Sequence, residues 1–348
     1  MKGLVLSATL NTFRVLCEDG QIRLCSIKGK RIRSLSGTYN CLASGDTVEI
    51  VPTDSGKGLV EKLCDRRNSF GRYNEKGRAE QAIATNVDLV CCVSSPRLPP
   101  FRPRFIDRVA VLAEYSSLPF AIILNKCDLG IPEDVEERLA GYEKLGYRVF
   151  RVSAKSGEGV GDVADYIRGK LSVFAGQSGV GKSSLVNVLL PGQARRTQDV
   201  SVKYNRGKHT TTMSELLMGE AGTKIVDTPG VRRLALRSIP VESLSSCFPE
   251  ILAQSASCGL MSRCSHAGEE DCAVPGAVAE GKVHPDRYES YLRILAEIAS
   301  PESWKRRREG SQGREAAGRK AWAHRSGAKP YRQGNYDGDD ADGYTDYE

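Results

Sequence analysis

One stretch of the sequence has the residue types and spacing of a loop that binds the phosphates of a nucleotide. GQSGVGKS, residues 176–183, fits the pattern G-x-x-x-x-G-K-[ST] between an apolar strand and a helix. Its glycines let backbone N–H groups turn toward a phosphate, Lys182 can bridge the β and γ oxygens, and the Ser183 hydroxyl can bind Mg²⁺. The predicted phosphate-site residues are Gly176, Gln177, Ser178, Gly179, Val180, Gly181, Lys182, Ser183 and Ser184.

A second stretch, NKCD at residues 125–128, predicts which base is bound. The Asp128 carboxylate can accept hydrogen bonds from N1–H and the exocyclic amine of guanine together, whereas adenine would oppose it with an acceptor. NKCD follows an apolar strand, and α/β sheets bind ligands at the carboxyl ends of their strands. The next strand leads into SAKSGEG, which can cover the base. The predicted base-site residues are Asn125, Lys126, Asp128, Ser153, Ala154 and Lys155.

Two further motifs suit the segments that sense a third phosphate. In DTPG, residues 227–230, Asp227 can hold the Mg²⁺ shell through water, and the N–H of Gly230 can contact the γ-phosphate. In GKHTTT, residues 207–212, Thr211 or Thr212 can complete the metal shell when the triphosphate is bound. The spacing does not distinguish the two threonines, and the run also suits the edge of a β-strand.

These motifs stand in a rotated order, with the base-reading residues upstream of the phosphate loop. The helix DVADYIRGK, which would close an ordinary GTPase domain, leads straight into the strand LSVFAG, which would open one. Because domain termini often lie close together, a chain can be joined there and reopened elsewhere. The sequence therefore predicts a complete, circularly permuted P-loop GTPase domain that binds GTP with Mg²⁺.

Alternating strand and helix patterns place this α/β domain over residues 80–238. Residues 1–72 consist instead of short alternating segments, with a hairpin signal at Asp19-Gly20, and predict a small β-barrel or sandwich. This region has 12 Lys and Arg against 7 Asp and Glu. Four of the basic residues form a cluster that suits either phosphate-backbone contacts or a solvated loop: Lys28, Lys30, Arg31 and Arg33.

After residue 240 the pattern is helical and contains a cluster of metal-ligand residues. Cys258, Cys264, His266 and Cys272 offer three thiolates and one imidazole, which suit tetrahedral Zn²⁺ with no open position. We expect one structural zinc ion in a domain spanning 240–300. The alternative is two free thiols beside an unrelated cysteine pair. The helix after Pro285 shows an amphipathic face: Tyr288, Tyr291, Leu292, Leu295 and Ile298.

Composition and charge narrow the class of protein. The 348 residues are 40% hydrophobic and 27% charged, and the longest apolar runs are far too short to span a membrane. The N-terminus lacks the apolar region of a secretory signal, and cysteines are scattered singly, so we expect a cytoplasmic protein without a membrane partner. Residues 301–348 combine a basic block with an acidic one and predict a disordered tail.

This organisation resembles one family, the small ribosomal subunit biogenesis GTPase A family, RsgA, also called YjeQ. The resemblance covers about residues 1–300 and includes SGDTVEIV, FIDR, LNKCDL, VSAKSGEGV, FAGQSGVGKSSLVN, GKHTTT, DTPGVR, CFPEI and HPDRYESYLRIL. It implies an oligonucleotide-binding (OB) fold at the N-terminus, the permuted GTPase domain and a C-terminal zinc domain. It also implies a monomer that acts late in assembly of the small (30S) ribosomal subunit, binds its rRNA and hydrolyses GTP when stimulated by that subunit.

The resemblance also implies a catalytic role for His209. Val231 follows DTPG where many GTPases have a glutamine that orients the attacking water, so another group must do so. His209 alternatively shapes the switch loop or contacts RNA. The spacing from Cys258 to Cys264 is one residue longer than is usual in the family, so the resemblance supports Cys258 least among the four ligands.

Two other functions fit the same motifs. One is a GTP- or alarmone-sensing RNA-binding module whose hydrolysis is incidental. The other is a metabolic kinase that uses the phosphate loop, although no stretch of the sequence suggests a pocket for an acceptor substrate. If the permuted GTPase is correct, DTPG lies at the end of its domain. Loss of the γ-phosphate is then expected to reach the zinc domain through the segment between Gly230 and Cys258.

Overall fold

A computed structural model describes residues 1–9, 11–27, 39–53, 56–74, 79–192, 214–228, 234–260 and 263–299. Several predictions therefore concern residues outside the described part of the chain. These are the predictions for the basic cluster (Lys28, Lys30, Arg31 and Arg33), for His209, Thr211, Thr212, Gly230 and Val231, and for the tail after residue 300. Among the described helices, none is long and apolar enough to cross a membrane.

The N-terminal region is a closed five-stranded barrel. Its strands are β1 (Lys2–Ala8), β2 (Phe13–Cys17), β3 (Ile22–Ile27), β4 (Thr47–Thr53) and β5 (Lys57–Leu63). They pair in the order β1-β2-β3-β5-β4, and β4 returns to pair with β1. Alternate residues point inward and form a core of their own that includes Phe13, Val15 and Ile50. Gly20 takes a φ of 78° in the turn between β2 and β3, as the Asp19-Gly20 signal predicts.

The central domain is a six-stranded sheet. Five strands are parallel, namely β8 (Leu89–Ser94), β9 (Phe120–Leu124), β10 (Arg148–Arg151), β11 (Leu171–Gly176) and β13 (Lys224–Asp227). The strand order is β10-β9-β8-β11-β13-β12, where β12 (Glu215–Met218) runs antiparallel to β13. Only the short connection 219–223 joins β12 to β13, and so short a link cannot make a parallel crossover.

Helices cover both faces of this sheet. The helices α1 (Pro103–Tyr115) and α2 (Glu133–Lys144) pack on one face, and α3 (Val160–Ile167) and α4 (Lys182–Leu189) pack on the other. Strands β8, β9 and β11 are buried along their whole length, which explains their continuous apolar sequences. Pro103 begins α1, where its missing N–H costs no hydrogen bond.

The predicted joint of the permutation lies between α3 and β11. Helix α3 ends at Ile167, and β11 begins at Leu171 at the centre of the sheet. The turn between them is closed by a bond from Lys170 N to the carbonyl of Ile167 at 3.0 Å. The chain therefore passes directly from the helix after the base-reading loops to the strand that carries the phosphate loop.

A hairpin lies where the barrel domain was expected to end and the GTPase domain to begin. Its strands are β6 (Ser69–Asn74) and β7 (Ala79–Thr85). Near it, the Asp46 carboxylate, fully buried, accepts two bonds from Arg66 at 2.7 Å each and one from Thr85 Oγ1 at 2.8 Å. These bonds fix the barrel against the chain that enters the central sheet.

The C-terminal region contains α5 (Pro249–Ser255), α6 (Ala273–Ala279) and α7 (Pro285–Ile298). The predicted apolar face of α7 packs against the same core cluster as α1 and α2. The structure also buries Arg287 and Ser290 of α7, which lie 2% and 3% exposed between α7 and α1. The helical region is therefore attached to the GTPase domain through polar as well as apolar contacts.

Candidate functional site

The phosphate loop is shaped by its glycines. A side chain at Gly176 would lie 2.6 Å from the carbonyl oxygen of Val93, so only glycine lets β11 end this close to β8. Gly179 and Gly181 have φ values of 85° and 84°, in the left-handed region that glycine adopts without strain. Helix α4 begins at Lys182 directly after the loop. This is the strand, loop and helix arrangement that the motif requires.

Lys182 lies inside the loop and is only 7% exposed. Its Nζ donates to the carbonyl oxygen of Thr228, lies 3.5 Å from the carbonyl oxygen of Gly176 and 3.6 Å from Asp227 Oδ1. The buried ammonium group is thus held between the end of β11 and the end of β13. At this point the ammonium group can meet phosphate oxygens, and Asp227 lies close enough to act on a Mg²⁺ ion that binds the same phosphates.

The base-reading loops are bonded to the phosphate loop. Asn125 Nδ2 donates to the carbonyl of Val180 at 3.0 Å, and Asn125 Oδ1 accepts from Ala154 N at 2.9 Å. Lys126 Nζ donates to the carbonyl of Gly179 at 2.6 Å. A side chain at Gly181 would lie 2.4 Å from Asn125 Nδ2, so this glycine is required for the contact. The loops predicted to hold the base and the phosphates are therefore hydrogen-bonded to each other.

The group proposed to read guanine is oriented by its neighbour. Ser153 Oγ donates to Asp128 Oδ1 at 2.7 Å, and Ser153 is fully buried. Ala154 and Lys155 follow at the carboxyl side of β10, and Lys155 is exposed. The structure thus brings together the predicted residues 125, 126, 128, 153–155, 176–184 and 227 at one edge of the sheet.

The four predicted metal ligands also come together. The ligand atoms of Cys258, Cys264, His266 and Cys272 all lie within 4.8 Å of one another. His266 Nδ1 lies 3.4 Å from the sulfur of Cys258 and 3.9 Å from that of Cys272, and these two sulfurs are 4.0 Å apart. Tetrahedral Zn²⁺ with bonds near 2.3 Å places its sulfur ligands about 3.8 Å apart. The residues present therefore fit a zinc ion.

Burial changes the protonation of two residues of the cluster. Burial lowers the pKa of His266, which favours the neutral imidazole that can bind metal. Burial raises the pKa of the Cys272 thiol to about 11, so that a thiolate forms there only if a positive ion compensates for it. The alternative of unrelated thiols does not account for four converging ligand atoms.

Sequence patterns did not reveal the groups that support this cluster. The Glu269 carboxylate accepts from the backbone N–H of Ser265 at 2.8 Å and of Ala267 at 2.9 Å. Tyr288 and Tyr291 of α7 donate to the carbonyls of His266 and Ser265 at 2.9 and 2.7 Å. These bonds fix the loop that carries two of the ligands. An acidic residue between metal-ligand cysteines is too common a feature to have identified Glu269.

The sequence model described as RsgA GTPase matches residues 63–237 of this chain. A protein of Bacteroides fragilis named small ribosomal subunit biogenesis GTPase RsgA is 35% identical over 300 residues, which are 85% of this chain and 96% of that protein. The chain belongs to the RsgA GTPase family. It is therefore a GTP hydrolase, and the resemblance identified from its motifs is confirmed.

Other RsgA proteins and two crystal structures agree. The protein of the same name from Borrelia garinii subsp. bavariensis is 40% identical over 271 residues, 78% of this chain and 87% of that protein. The crystal structure of YjeQ from Thermotoga maritima matches with a TM-score of 0.65 and 33% identity, covering 85% of this chain and 98% of that one. YloQ, a circularly permuted GTPase, matches with a TM-score of 0.62 and 26% identity, covering 85% and 94%.

These matches and the described strands confirm the predicted fold class. The RsgA GTPase chain has an N-terminal five-stranded barrel, a circularly permuted GTPase domain and a helical region with a Cys3His cluster. The motifs stand in a rotated order along the sequence, but the strands that carry them are neighbours in the sheet. Strand β11, with its phosphate loop, lies at the centre of the sheet between β8 and β13.

Proposed function

We propose that this RsgA GTPase acts late in the assembly and maturation of the small (30S) ribosomal subunit, and that the subunit stimulates its hydrolysis of GTP. The observation that carries the proposal is the match to small ribosomal subunit biogenesis GTPases over 85% of this chain and 96% of the relative, which is far more than the GTPase domain alone. A match confined to the GTPase domain would have supported hydrolysis without supporting the target.

We assign the residues of the cleft by the atoms they present. Asp128, oriented by Ser153, would accept from guanine, while Asn125 and Lys126 hold the base loop against the phosphate loop. Lys182 and the N–H groups of 176–184 would hold the phosphates. Ser183, one threonine of Thr211 and Thr212, and Asp227 through water would hold Mg²⁺, and Gly230 would contact the γ-phosphate.

We assign orientation of the attacking water to His209. Val231 has no group that can hydrogen-bond a water molecule, and His209 lies in the switch that carries the proposed Mg²⁺ ligand. We expect slow turnover of the free protein and faster turnover when the subunit orders the switch. A His209→Ala variant with an unchanged subunit-stimulated rate would contradict this role and favour a part in loop shape or RNA contact.

We propose that the flanking domains hold the ribosomal subunit and the tail does not form a further folded domain. The barrel would contact rRNA, with the basic cluster of Lys28, Lys30, Arg31 and Arg33 adding phosphate contacts. A structural zinc ion held by Cys258, Cys264, His266 and Cys272 would fold the third domain. The protein would act as a cytoplasmic monomer, and its tail, residues 301–348, would remain disordered.

Contacts between the barrel and the chain that follows GKHTTT, which we call the first switch, support this division of roles. Ser44 Oγ, in the barrel domain, donates to the carbonyl of Ser214 at 3.0 Å, and Arg14 of β2 pairs with Glu215 at 2.6 Å. One residue, Met213, separates Ser214 and Glu215 from the threonine run. A partner that displaces the barrel would therefore act on the end of the first switch.

The alternative of an RNA-binding module with incidental hydrolysis is not favoured, because the relatives are named as biogenesis GTPases. Co-sedimentation of the full chain with purified small and large subunits, in the presence of GDP or a non-hydrolysable GTP analogue, tests the target. We expect selective binding to small subunits that is tighter with the analogue. Equal binding to small and large subunits, or equal binding with GDP and with the GTP analogue, would contradict the proposal.

A further inference from the structure

The chain that follows DTPG is held at three successive residues. The carbonyl of Leu234 accepts from Arg108 of α1, with Nε at 3.1 Å. The carbonyl of Ala235 accepts from Tyr73 N at 3.0 Å, and Leu236 N donates to Glu297 Oε1 of α7 at 3.0 Å. The side chains of Leu234 and Leu236 are 2% and 0% exposed. This segment, residues 234–236, is therefore fixed by backbone bonds and by burial.

Two of those three bonds come from a single ion pair. Arg108 Nη2 lies 2.6 Å from Glu297 Oε2, and it also bonds the Leu234 carbonyl. The two side chains are 26% and 25% exposed, so water screens the pair only partly. A guanidinium group can serve two acceptors in its plane at once, and a carboxylate can accept on both oxygens. The pair thus joins α1, α7 and segment 234–236 in one unit.

The unit of α1, α7 and segment 234–236 lies next to the DTPG segment along the chain. Asp227 ends β13 and starts the segment proposed to sense the γ-phosphate, while residues 234–236 lie just beyond that segment. At residues 234–236 the chain is held by α1 of the GTPase domain and by α7. An error of about 1 Å in the placement of a group that acts on the transition state can cost roughly 100-fold in rate.

We propose that Arg108 and Glu297 are positioning residues for GTP hydrolysis. They fix the exit of the DTPG segment, so that the docking of α7 sets the rate of the chemical step. The inference rests on the proposed role of Asp227 and Gly230 in the site. Neither Arg108 nor Glu297 is proposed to contact GTP, because the base and phosphate loops are the proposed binding site.

The same two helices provide a matched control. Arg104 of α1 and Glu289 of α7 form an ion pair at 3.1 Å, and their side chains are 41% and 46% exposed. Glu289 also pairs with Arg293 of its own helix at 2.9 Å. This surface pair bridges α1 and α7 as Arg108 and Glu297 do, but among the described residues its ion pairs involve only these two helices. It therefore separates loss of a bridge from loss of the bonds to segment 234–236.

The test is steady-state hydrolysis of GTP by the full-length zinc-loaded protein and by its Arg108→Ala, Glu297→Ala and double variants. We expect kcat to fall about 2- to 30-fold, the range of mutations that alter coupling between sites, with KM within about 2-fold. The double variant should lose little more than the single ones, because both act through one segment. Arg104→Ala and Glu289→Ala should keep the wild-type kcat.

Two conservative variants and one variant of Asp227 distinguish the remaining outcomes. If the alanine variants do not fold, Arg108→Lys and Glu297→Gln replace them; each removes one bond of the unit and should lower kcat by a smaller factor. Hydrolysis that survives Asp227→Asn would overturn the role of the DTPG segment and the inference with it. A second outcome would overturn the inference alone. In that case Asp227→Asn abolishes hydrolysis, but the Arg108 and Glu297 variants lower kcat no more than the control variants do.

Discussion

Asp107 on α1 and Arg287 on α7 form a buried ion pair, with Asp107 Oδ1 2.9 Å from Arg287 Nη1 and both side chains at most 2% exposed. The pair lies between the GTPase domain and the helical region that carries the Cys3His cluster. The second oxygen of Asp107 accepts from Ser290 Oγ at 2.5 Å, and Oδ1 also accepts from Tyr142 at 2.6 Å. Arg287 in turn bonds both oxygens of Glu250 at 2.7 and 3.1 Å. Two acidic and two basic groups, Arg138 included, thus balance in one network.

Removing one charge from this network should weaken the docking of the two domains. In Asp107→Asn, Arg287 keeps Glu250 but Arg138 loses the carboxylate that it pairs with, and a buried charge left without its partner typically costs roughly 3–5 kcal/mol. Denaturant unfolding of the wild type and the variant would measure the loss. Glu289→Gln, which breaks an exposed pair between the same helices, should change the free energy of unfolding by less than about 1 kcal/mol. Equal effects of the two variants would contradict a buried network.

The network also predicts how stability depends on pH. Burial by itself would raise the pKa of Asp107, but Arg287, Arg138 and the bonds from Ser290 and Tyr142 outweigh it and hold the pKa below its ordinary value. Because the folded pKa is depressed, the stabilisation is complete above about pH 4, the usual pKa of aspartate, and is lost as the pH falls through the folded value.

Unfolding free energies measured from neutral pH downward would test this sign. The wild type should lose stability below about pH 4, whereas Asp107→Asn should start lower and lose less over the same interval. Parallel curves for the two proteins would show that another group governs the acid transition.

Base selection should depend on Asp128. Asp128→Asn replaces the carboxylate that accepts from guanine with a neutral amide. Because two charge-assisted hydrogen bonds are lost, GTP binding should weaken roughly 100-fold or more. The new amide can donate to the oxygen that xanthine carries in place of the guanine amine, so xanthosine triphosphate should bind better than GTP. Competition with a fluorescent nucleotide would measure both, and Glu158→Gln, a change in the same loop region, serves as the control. An unchanged preference for GTP would remove Asp128 from the base site.

The Cys3His cluster should hold one zinc ion per chain. Cys272→Ser removes one of four converging ligand atoms and should abolish stoichiometric zinc and destabilise residues 240–299. Cys247→Ala removes a thiol that is also buried in this region but lies outside the cluster, and it should keep the metal. Metal content after dialysis, with limited proteolysis of the region, provides the measurement. A Cys272→Ser protein that retains a full zinc ion would exclude this residue as a ligand.

Local patterns were sufficient for the parts of the site that follow strands. The phosphate loop, NKCD and DTPG each directly follow an apolar segment, and the parallel sheet brings the ends of those strands to one edge. The Cys and His residues of the metal cluster are likewise close along the chain. Each of these predictions needed only the residue types and the direction of the neighbouring strand.

The polar contacts between domains could not be predicted in this way. Asp107 and Arg287 lie 180 positions apart, and on its own Arg287 looks like an exposed residue of an amphipathic helix. The bonds of Arg108 to Leu234 and Glu297 depend on how α1 and α7 approach each other, which periodicity does not specify. The direction of β12 has a local cause, the short connection 219–223 to β13, which the alternation of strands and helices along the sequence does not reveal.

The most direct test of the account is the rate of GTP hydrolysis by the full-length protein, alone and with purified small or large ribosomal subunits. We expect slow turnover by the free protein and a rate at least tenfold higher with small subunits, which corresponds to a barrier lower by about 1.4 kcal/mol. Large subunits should have no comparable effect. A rate that small subunits leave unchanged, while the protein binds them, would contradict a subunit-stimulated GTPase and favour the RNA-binding module. Indifference to both subunits in binding and in rate would contradict the ribosomal target itself.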